Sequence, residues 1–208
     1  MKKFELTSET KINIFGKKLF RIKALISFGD VKAGETGGWV EKEENVNQSG
    51  NAWVYGDAKV FGNAKVYGDA KVFGNAKVYG DAWVYGNAKV SGNAWVYGDA
   101  KVFGNAKVYG DAKVFGNAWV YGDAWVSGDA WVSGDADYAT IHGFGTQFRT
   151  TTFFRCKDKK VRVACGCFFG TIPEFREQVK DTRKGKIAEE YLVISDLMEK
   201  HFEVKSNE

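Results

Sequence analysis

His142 and His201 are the only histidines in this chain of 208 residues, and histidine is the side chain most often used as a general base. Either imidazole could deprotonate the acceptor in a group-transfer reaction. The chain contains no phosphate-binding loop, nucleophile elbow or paired-carboxylate motif that would support such a role. We therefore expect surface or capping roles for both histidines and predict no catalytic residue.

Cys156, Cys165 and Cys167 are the second group that could do chemistry, because together with a histidine they would supply the four ligands of a closed zinc site. Cys165 and Cys167 would face the same way if both lay on one strand. Their one-residue gap differs from the two-residue gap of a zinc knuckle. Free thiols, buried or partly buried, are therefore expected, and no metal or other cofactor is predicted. The odd number of cysteines and the lack of an apolar stretch after Met1 favour a cytoplasmic protein without a membrane segment.

The elements that must position these residues are set by a repeat. From Gly50 to Ser133 the six residues Gly-Asn/Asp-Ala-Lys/Trp-Val-Tyr/Phe/Ser recur fourteen times without an insertion. Alanine and valine alternate with larger residues, which predicts a short strand with alanine and valine inward and lysine or an aromatic ring outward. The Gly-Asn or Gly-Asp pair predicts a corner, because these residues tolerate a positive φ. A stack of such units is a β-solenoid.

The repeat resembles the hexapeptide-repeat family, as in Val54-Tyr-Gly-Asp-Ala-Lys59. The resemblance implies a left-handed parallel β-helix with three six-residue units, or hexads, in each coil. The aspartates offer a separate check. A coil of three hexads stacks residues 18 apart and opposes two pairs of aspartates, whereas a coil of two hexads opposes five pairs. Because opposed like charges destabilise a sheet, three hexads are favoured, although duplication of a twelve-residue unit would give the same pattern.

The two flanks of the repeat are predicted to cap it, because each end of a solenoid exposes strand edges and core. Residues 1–49 form a β-rich N-terminal cap with a hairpin around residues 16–18, and Trp39 would plug the end of the core. Residues 50–136 form the solenoid. Residues 137–208 form a C-terminal cap with a hairpin around residues 157–159 and two helices, the first beginning at the capping box Thr171-Ile-Pro-Glu174.

Gly37-Gly-Trp-Val40 before the repeat and Cys165-Gly-Cys-Phe168 after it resemble segments of a group of bacteriophage and prophage repeat proteins. This resemblance covers nearly the whole chain, and that group has no settled activity. It implies a protein that would work in the cytoplasm of a bacterial host. Many hexapeptide-repeat proteins are acyltransferases, so an acyltransferase using His142 is the alternative. The repeats contain no histidine and none of the loop insertions that such enzymes use.

The outward aromatic residues are the main candidates for binding. With three hexads in each coil they fall in rows, and two of these rows are named here after a member. The Trp83 face carries Lys65, Trp83, Lys101 and Trp119 beside Tyr67, Tyr85, Phe103 and Tyr121, and the Trp53 face carries Trp53, Lys71, Lys89, Lys107 and Trp125.

Such rows suit a protein partner, self-association into a homo-oligomer or a glycan, and they could also serve only to stack coil on coil. Nucleic acid is not expected as a partner, because the eight lysines between residues 50 and 133 are matched by seven aspartates. The sequence therefore predicts a non-enzymatic structural or protein-binding solenoid, with the inhibition of a host defence protein as one form of that function.

Overall fold

The first residues of the chain form an antiparallel hairpin in the computed structural model, which describes residues 1–203. Strand β1 (Phe4–Ile12) pairs with β2 (Lys18–Ala24), and β2 pairs with β3 (Thr36–Val40). The predicted hairpin is therefore present, and its first strand begins seven residues earlier than the predicted start at Lys11.

Each of the fourteen hexads contributes one strand of two residues, with its valine buried and its lysine or tryptophan on the outside. The alanines and valines fill the interior as predicted, and nearly all of them are fully buried. The strands are β4 (Trp53–Val54), β5 (Lys59–Val60), β6 (Lys65–Val66), β7 (Lys71–Val72), β8 (Lys77–Val78), β9 (Trp83–Val84), β10 (Lys89–Val90), β11 (Trp95–Val96), β12 (Lys101–Val102), β13 (Lys107–Val108), β14 (Lys113–Val114), β15 (Trp119–Val120), β16 (Trp125–Val126) and β17 (Trp131–Val132).

Strands pair in parallel with the strand three hexads further along, as in Lys89 opposite Lys107 and Val90 opposite Val108. This register of 18 residues confirms the coil of three hexads. It gives a parallel β-solenoid of about five turns with three sheets, ordered β3-β5-β8-β11-β14-β17, β4-β7-β10-β13-β16 and β6-β9-β12-β15. The first of these sheets continues through β3 into the N-terminal hairpin, which makes it eight-stranded.

Glycine is required at the corners for two reasons, which Gly92 illustrates. Its φ is +66°, a left-handed conformation that other residues rarely adopt. A Cβ atom at Gly92 would also lie 2.9 Å from the backbone nitrogen of Gly110 in the next coil. Close coil-on-coil contact and the turn conformation therefore both exclude larger residues.

The parallel ladder begins before the repeat does. Val40 lies opposite Val60, and Val46 lies opposite Val66, so residues assigned to the cap from the sequence already form part of the first coil. Trp39 occupies the outward position opposite Lys59 and packs with Leu19 and Phe61 outside the main core. The expectation that Trp39 plugs the core is therefore wrong, because the neighbouring Val40 points inward instead.

The C-terminal part forms a four-stranded antiparallel sheet and two helices. Strands β18 (Tyr138–Phe144), β19 (Arg149–Arg155), β20 (Val161–Cys165) and β21 (Phe168–Thr171) pair in chain order. Helices α1 (Ile172–Thr182) and α2 (Gly185–Glu203) pack on this sheet around a second core. The predicted hairpin corresponds to β19 and β20, and both helices were predicted. Strands β18 and β21 were not predicted.

The C-terminal sheet is attached to the last coil of the solenoid. Cys156 forms a backbone bridge with Ala130, and the backbone N–H of Lys157 donates to the carbonyl of Asp129 at 3.1 Å. No helix within residues 1–203 combines the length and apolar character that crossing a membrane requires.

Candidate interaction surface

The Trp83 face carries a continuous stack of aromatic rings. Tyr67, Tyr85, Phe103 and Tyr121 follow one another with ring centroids 4.8, 4.8 and 5.2 Å apart, and successive rings lie within 13° of parallel. The spacing equals the distance between neighbouring strands, so each ring contacts the equivalent ring of the next coil. The faces of these rings are therefore used inside the stack, and their edges point away from the sheet.

The tryptophans of the same face contact lysines. The ammonium group of Lys101 lies 5.5 Å from the ring centroid of Trp83 and 4.5 Å from that of Trp119. Lys65 lies on the other side of Trp83 at 5.9 Å. Trp83 is also perpendicular to the ring of Tyr67, and Trp119 to that of Phe103. Lysine and tryptophan therefore alternate along the face as cation–π partners, each contact being worth about 0.5–1 kcal/mol at an exposed site.

Both ends of the Trp83 face are closed by short 3-10 turns. The turn Glu43–Asn45 borders a cleft of about 620 Å³ whose lining includes Tyr67 and Trp83. The turn Asp135–Asp137 borders a second cleft of about 470 Å³ beside Trp119, Tyr121 and Tyr138. Burial raises the pKa of the Tyr138 hydroxyl above its ordinary value. The aromatic row thus lies between two acidic rims, one at each end.

The Trp83 face also carries the two most exposed aromatic side chains of the solenoid, Tyr121 and Trp119. Trp83 is 37% exposed, Trp119 44% and Tyr121 51%. Contiguous patches of exposed apolar rings commonly mark interaction sites. Of the residues predicted for binding, Lys65, Tyr67, Trp83, Tyr85, Lys101, Phe103, Trp119 and Tyr121 are brought together on this face.

Trp53 does not belong to any exposed surface, so its assignment to a binding face is wrong. Its side chain is fully buried, and Phe4 and Phe28 pack edge-on against its indole at 5.8 and 5.3 Å. A Cβ atom at Gly37 would lie 2.6 Å from the indole of Trp53, which explains one of the two glycines before Trp39. The N-terminal cap covers this part of the Trp53 face because its strands fold back over the first coil.

Trp125, at the other end of the Trp53 face, is half-buried. Its backbone N–H donates to the hydroxyl of Thr152 at 3.0 Å, and β19 packs against the strand that carries it. Between the two ends, Lys71 forms an ion pair with Asp30 of the cap at 2.5 Å. Both caps therefore occupy parts of the Trp53 face, whereas they only border the Trp83 face.

A third row of aromatic residues was missed in the sequence, although the same 18-residue spacing could have found it. Phe61, Tyr79, Tyr97 and Phe115 stack with centroids 4.9, 5.0 and 5.1 Å apart on the sheet that contains Trp95. Phe15 from the N-terminal hairpin covers the start of this row. Burial, followed by the nearby Tyr97, raises the pKa of Tyr79 to about 12.

The two candidate general bases are both exposed. His142 is exposed, and its Nδ1 atom lies 3.1 Å from the hydroxyl of Thr150. No carboxylate contact of His142 is found within residues 1–203. His201 is exposed near the end of α2, where its ring packs against Phe202. His142 lines a cleft of about 630 Å³ with Trp125 and Cys167.

The three thiols are not gathered into one site. Cys156 is buried, and burial followed by a hydrogen bond to Asp129 raises the pKa of its thiol. Cys165 ends β20 and contacts the hydroxyl of Thr151 at 3.1 Å, whereas Cys167 lies exposed in the turn before β21. The expectation that Cys165 and Cys167 share a strand face is therefore wrong. Residues 1–203 contain no group of three or more His, Cys, Asp or Glu side chains that could hold a metal ion.

Comparison with known proteins agrees with the repeat architecture. Residues 82–98, within the solenoid, match a family model described as the YdcK Beta solenoid repeat. No curated protein matches the chain. The repeat and the fold together identify the chain as a repeat β-solenoid protein.

Proposed function

We propose that this protein is a non-enzymatic β-solenoid that binds another protein through the Trp83 face. The observation that carries this proposal is the position of the two caps. They cover Trp53 and pack against Trp125, yet they leave Trp83, Trp119 and Tyr121 exposed between two closed ends.

The chemistry of the face supports a protein partner. Tryptophan and tyrosine are the residues most enriched among those that dominate the binding energy of protein interfaces. Here their backbone is held by the parallel ladder, so little conformational entropy is lost on binding. The clefts at the two ends would accept side chains of the partner beyond the flat aromatic row.

A glycan is supported less well than a protein. Sugars stack on the faces of aromatic rings, and four rings of the Trp83 face already use their faces within the stack. Acyl transfer by His142 is also supported less well, because the Thr150 hydroxyl is a poor partner for raising the basicity of an imidazole.

We further propose that the protein is encoded by a phage or prophage and acts in the cytoplasm of its host. On this proposal it binds a host protein, such as a defence enzyme, and inhibits it by occupying a surface. The Gly-Gly-Trp-Val leader and the Cys-Gly-Cys-Phe tail support this origin. A second copy of the chain is the alternative occupant of the Trp83 face.

Quantitative cross-linking and affinity capture from bacterial lysate would test the main proposal. We expect a stoichiometric partner whose affinity falls roughly 30-fold in Trp119→Ala, the size of a typical hot-spot loss. Phe73→Ala is the matched control, because Phe73 is 37% exposed on the Trp53 face. Equal losses in both variants, or a monomer without a partner, would contradict the proposal. Light scattering of the purified chain would reveal a homo-oligomer.

A further inference from the structure

Two tryptophans inside the stack of coils, Trp83 and Trp95, have a lysine against both sides of the indole. Trp83 lies between the ammonium groups of Lys65 and Lys101. On the neighbouring sheet, Trp95 lies between Lys77 at 4.5 Å and Lys113 at 4.9 Å. An internal tryptophan therefore receives one lysine from the coil before it and one from the coil after it.

At the N-terminal end of the repeat, the chain supplies cations from another element. Trp39, in the first coil, has the ammonium group of Lys11 at 3.8 Å and the guanidinium of Arg21 at 4.8 Å from its ring centroid. Both cations come from the N-terminal hairpin rather than from the repeat. Cationic contact with these indoles is thus maintained even outside the repeating pattern.

Trp119, Trp125 and Trp131 lie in the last coil, and within residues 1–203 each contacts a lysine of the preceding coil only. Trp125 is half-buried against β19, whereas Trp119 is 44% exposed. Lys101 contacts it from the preceding coil, but the position one coil further on is Asp137, which is buried in the 3-10 turn. The space beyond Trp119 is the cleft of about 470 Å³ at the C-terminal end of the Trp83 face. Its walls include Phe103, Tyr121 and Tyr138 together with the carboxylate of Asp135.

The geometry points to a binding site for a lysine or arginine side chain of a partner protein in this cleft. The inference rests on the proposed function and adds the chemistry of one contact. Several aromatic rings and a carboxylate suit an ammonium or guanidinium group, and the incoming cation would occupy the place that a further coil would give to lysine. Repulsion from Lys101 does not exclude it, because Trp83 already holds two ammonium groups at 5.9 and 5.5 Å.

The carboxylate of Asp135 is held in position for this contact. One of its oxygens accepts the backbone N–H of Trp119 at 2.7 Å, which fixes the side chain at the edge of the cleft that Trp119 also lines. Tyr138 closes the cleft with its ring perpendicular to Tyr121, at a centroid distance of 6.4 Å. The site is therefore built from the last coil and from the turn that follows it, so it exists only at this end of the solenoid.

Titration of the full-length protein with Nα-acetyl-arginine amide would test the inference, with Nα-acetyl-citrulline amide as the neutral isostere. The readout is the indole N–H signal of each tryptophan by nuclear magnetic resonance, assigned with Trp119→Phe. We expect a saturable shift of the Trp119 signal by the arginine compound, little shift of Trp83, and no saturation with citrulline. Equal shifts of Trp83 and Trp119, or equal binding of citrulline, would overturn the inference.

Asp135→Asn keeps an oxygen that can accept the Trp119 N–H but removes the charge. We expect it to weaken arginine binding roughly fivefold, as is typical for the loss of one exposed ionic contact. Asp99→Asn, an exposed carboxylate on the same face, should leave binding unchanged. Tyr121→Leu, which removes one aromatic wall, should weaken binding by a similar factor. Full binding in both Asp135→Asn and Tyr121→Leu would overturn the inference.

The titration needs no partner, so its result is independent of the capture experiment. Saturable arginine binding without a captured protein would support the site and contradict the proposed function. A captured protein without arginine binding would support the proposed function and overturn the arginine site. If the Trp119 signal shifts when the protein alone is concentrated, the occupant is a second copy of the chain, and a separate partner is excluded for this site.

Discussion

The two ends of the solenoid present opposite backbone groups, and their caps differ accordingly. Along the stack, the backbone N–H groups that flank the paired strand residues donate to carbonyls of the next coil, as from Lys59 to Ala76 at 2.9 Å and from Lys77 to Ala94 at 2.9 Å. Fewer bonds, those between the paired strand residues themselves, run in the opposite direction. The first coil therefore leaves mainly carbonyls without a partner in the ladder, and the last coil leaves mainly N–H groups. Buried groups of either kind must be satisfied by the flanking residues.

The N-terminal end is capped by donors. The buried ammonium group of Lys3 donates to the carbonyl of Ala52 at 2.9 Å and to that of Gly50 at 3.3 Å. The side-chain amide of Asn45 donates to the carbonyls of Gly62 and Ala64 at 3.1 and 2.9 Å. Nitrogen-bearing side chains thus replace the backbone N–H groups that a preceding coil would have supplied.

The C-terminal end is capped by acceptors. Asp135 accepts the N–H of Trp119, and the hydroxyl of Thr152 accepts that of Trp125. Asp137 accepts the N–H of Ser133 at 2.9 Å and pairs with Arg155 at 3.6 Å. Asp137 holds its 3-10 turn as Asn45 does, through N–H groups three and four residues earlier. The solenoid therefore has a polarity of backbone donors and acceptors, and its two caps are not interchangeable.

Of the substitutions at the two caps, Asn45→Asp should produce the largest loss of stability. The aspartate keeps the acceptor for its own turn but turns a buried carboxylate toward the carbonyls of Gly62 and Ala64. We expect the free energy of unfolding to fall by about 3–5 kcal/mol, the cost of a buried charge without a partner. Urea denaturation would measure it, with Asn47→Asp as the exposed control. A loss no larger than that of the control would contradict a donor role for Asn45.

Asp137→Asn is the reverse exchange at the C-terminal end of the solenoid. We expect it to lower the free energy of unfolding by less, about 2 kcal/mol. The amide oxygen still accepts the N–H of Ser133, whereas the attraction to Arg155 is lost. The same denaturation experiment measures it, and Asp111→Asn on the exposed corner is the control. Equal losses from Asn45→Asp and Asp137→Asn would mean that the polarity of the ladder does not govern the caps.

The smallest expected effect is a pH dependence that belongs only to the N-terminal end. Burial lowers the pKa of Lys3 to about 8, below the ordinary lysine value of 10.5. Between these pH values the unfolded chain binds more protons than the folded one, so stability contributed by Lys3 rises as pH rises. We expect wild type to gain about 1–2 kcal/mol relative to Lys3→Met between pH 8 and pH 10.5.

Lys2→Met serves as the control for this pH dependence, because the Lys2 side chain is exposed and pairs with Glu43 on the surface. Its stability difference from wild type should show no comparable rise over the same range. If the stability difference between wild type and Lys3→Met is also independent of pH, the ammonium group of Lys3 is solvated in the folded protein.

The repeat made the solenoid predictable at residue level. Alanine and valine at fixed spacing have one arrangement that buries them all, and glycine marks each corner, so the strands followed. The resemblance to hexapeptide-repeat proteins implied the 18-residue register. The small number of opposed aspartate pairs favoured the coil of three hexads. The same register nevertheless places Lys89 directly opposite Lys71 on one side and Lys107 on the other. The capping box at Thr171 and the periodicity of α2 likewise predicted the helices.

The flanks were predicted less well because their residues depend on distant contacts. Strand β18 looks like a decaying repeat, and β21 is only four residues long, so neither carries a strong local pattern. No local sequence pattern marked the capping residues Lys3, Asn45 and Asp137, because their hydrogen-bond partners lie in the coils that they close. Asn45 and Asp137 share a spacing within their turns that becomes recognisable only when the two ends are compared.

The sequence by itself determined which side chains point inward, because this depends on a short periodic pattern. Only the tertiary structure decided which outward residues are accessible. Trp53 and Trp83 occupy the same position of the repeat and have the same neighbours in the chain, yet Trp53 lies beneath Phe4 and Phe28 while Trp83 is exposed. Burial at equivalent positions depends on long-range packing, which a local pattern does not encode.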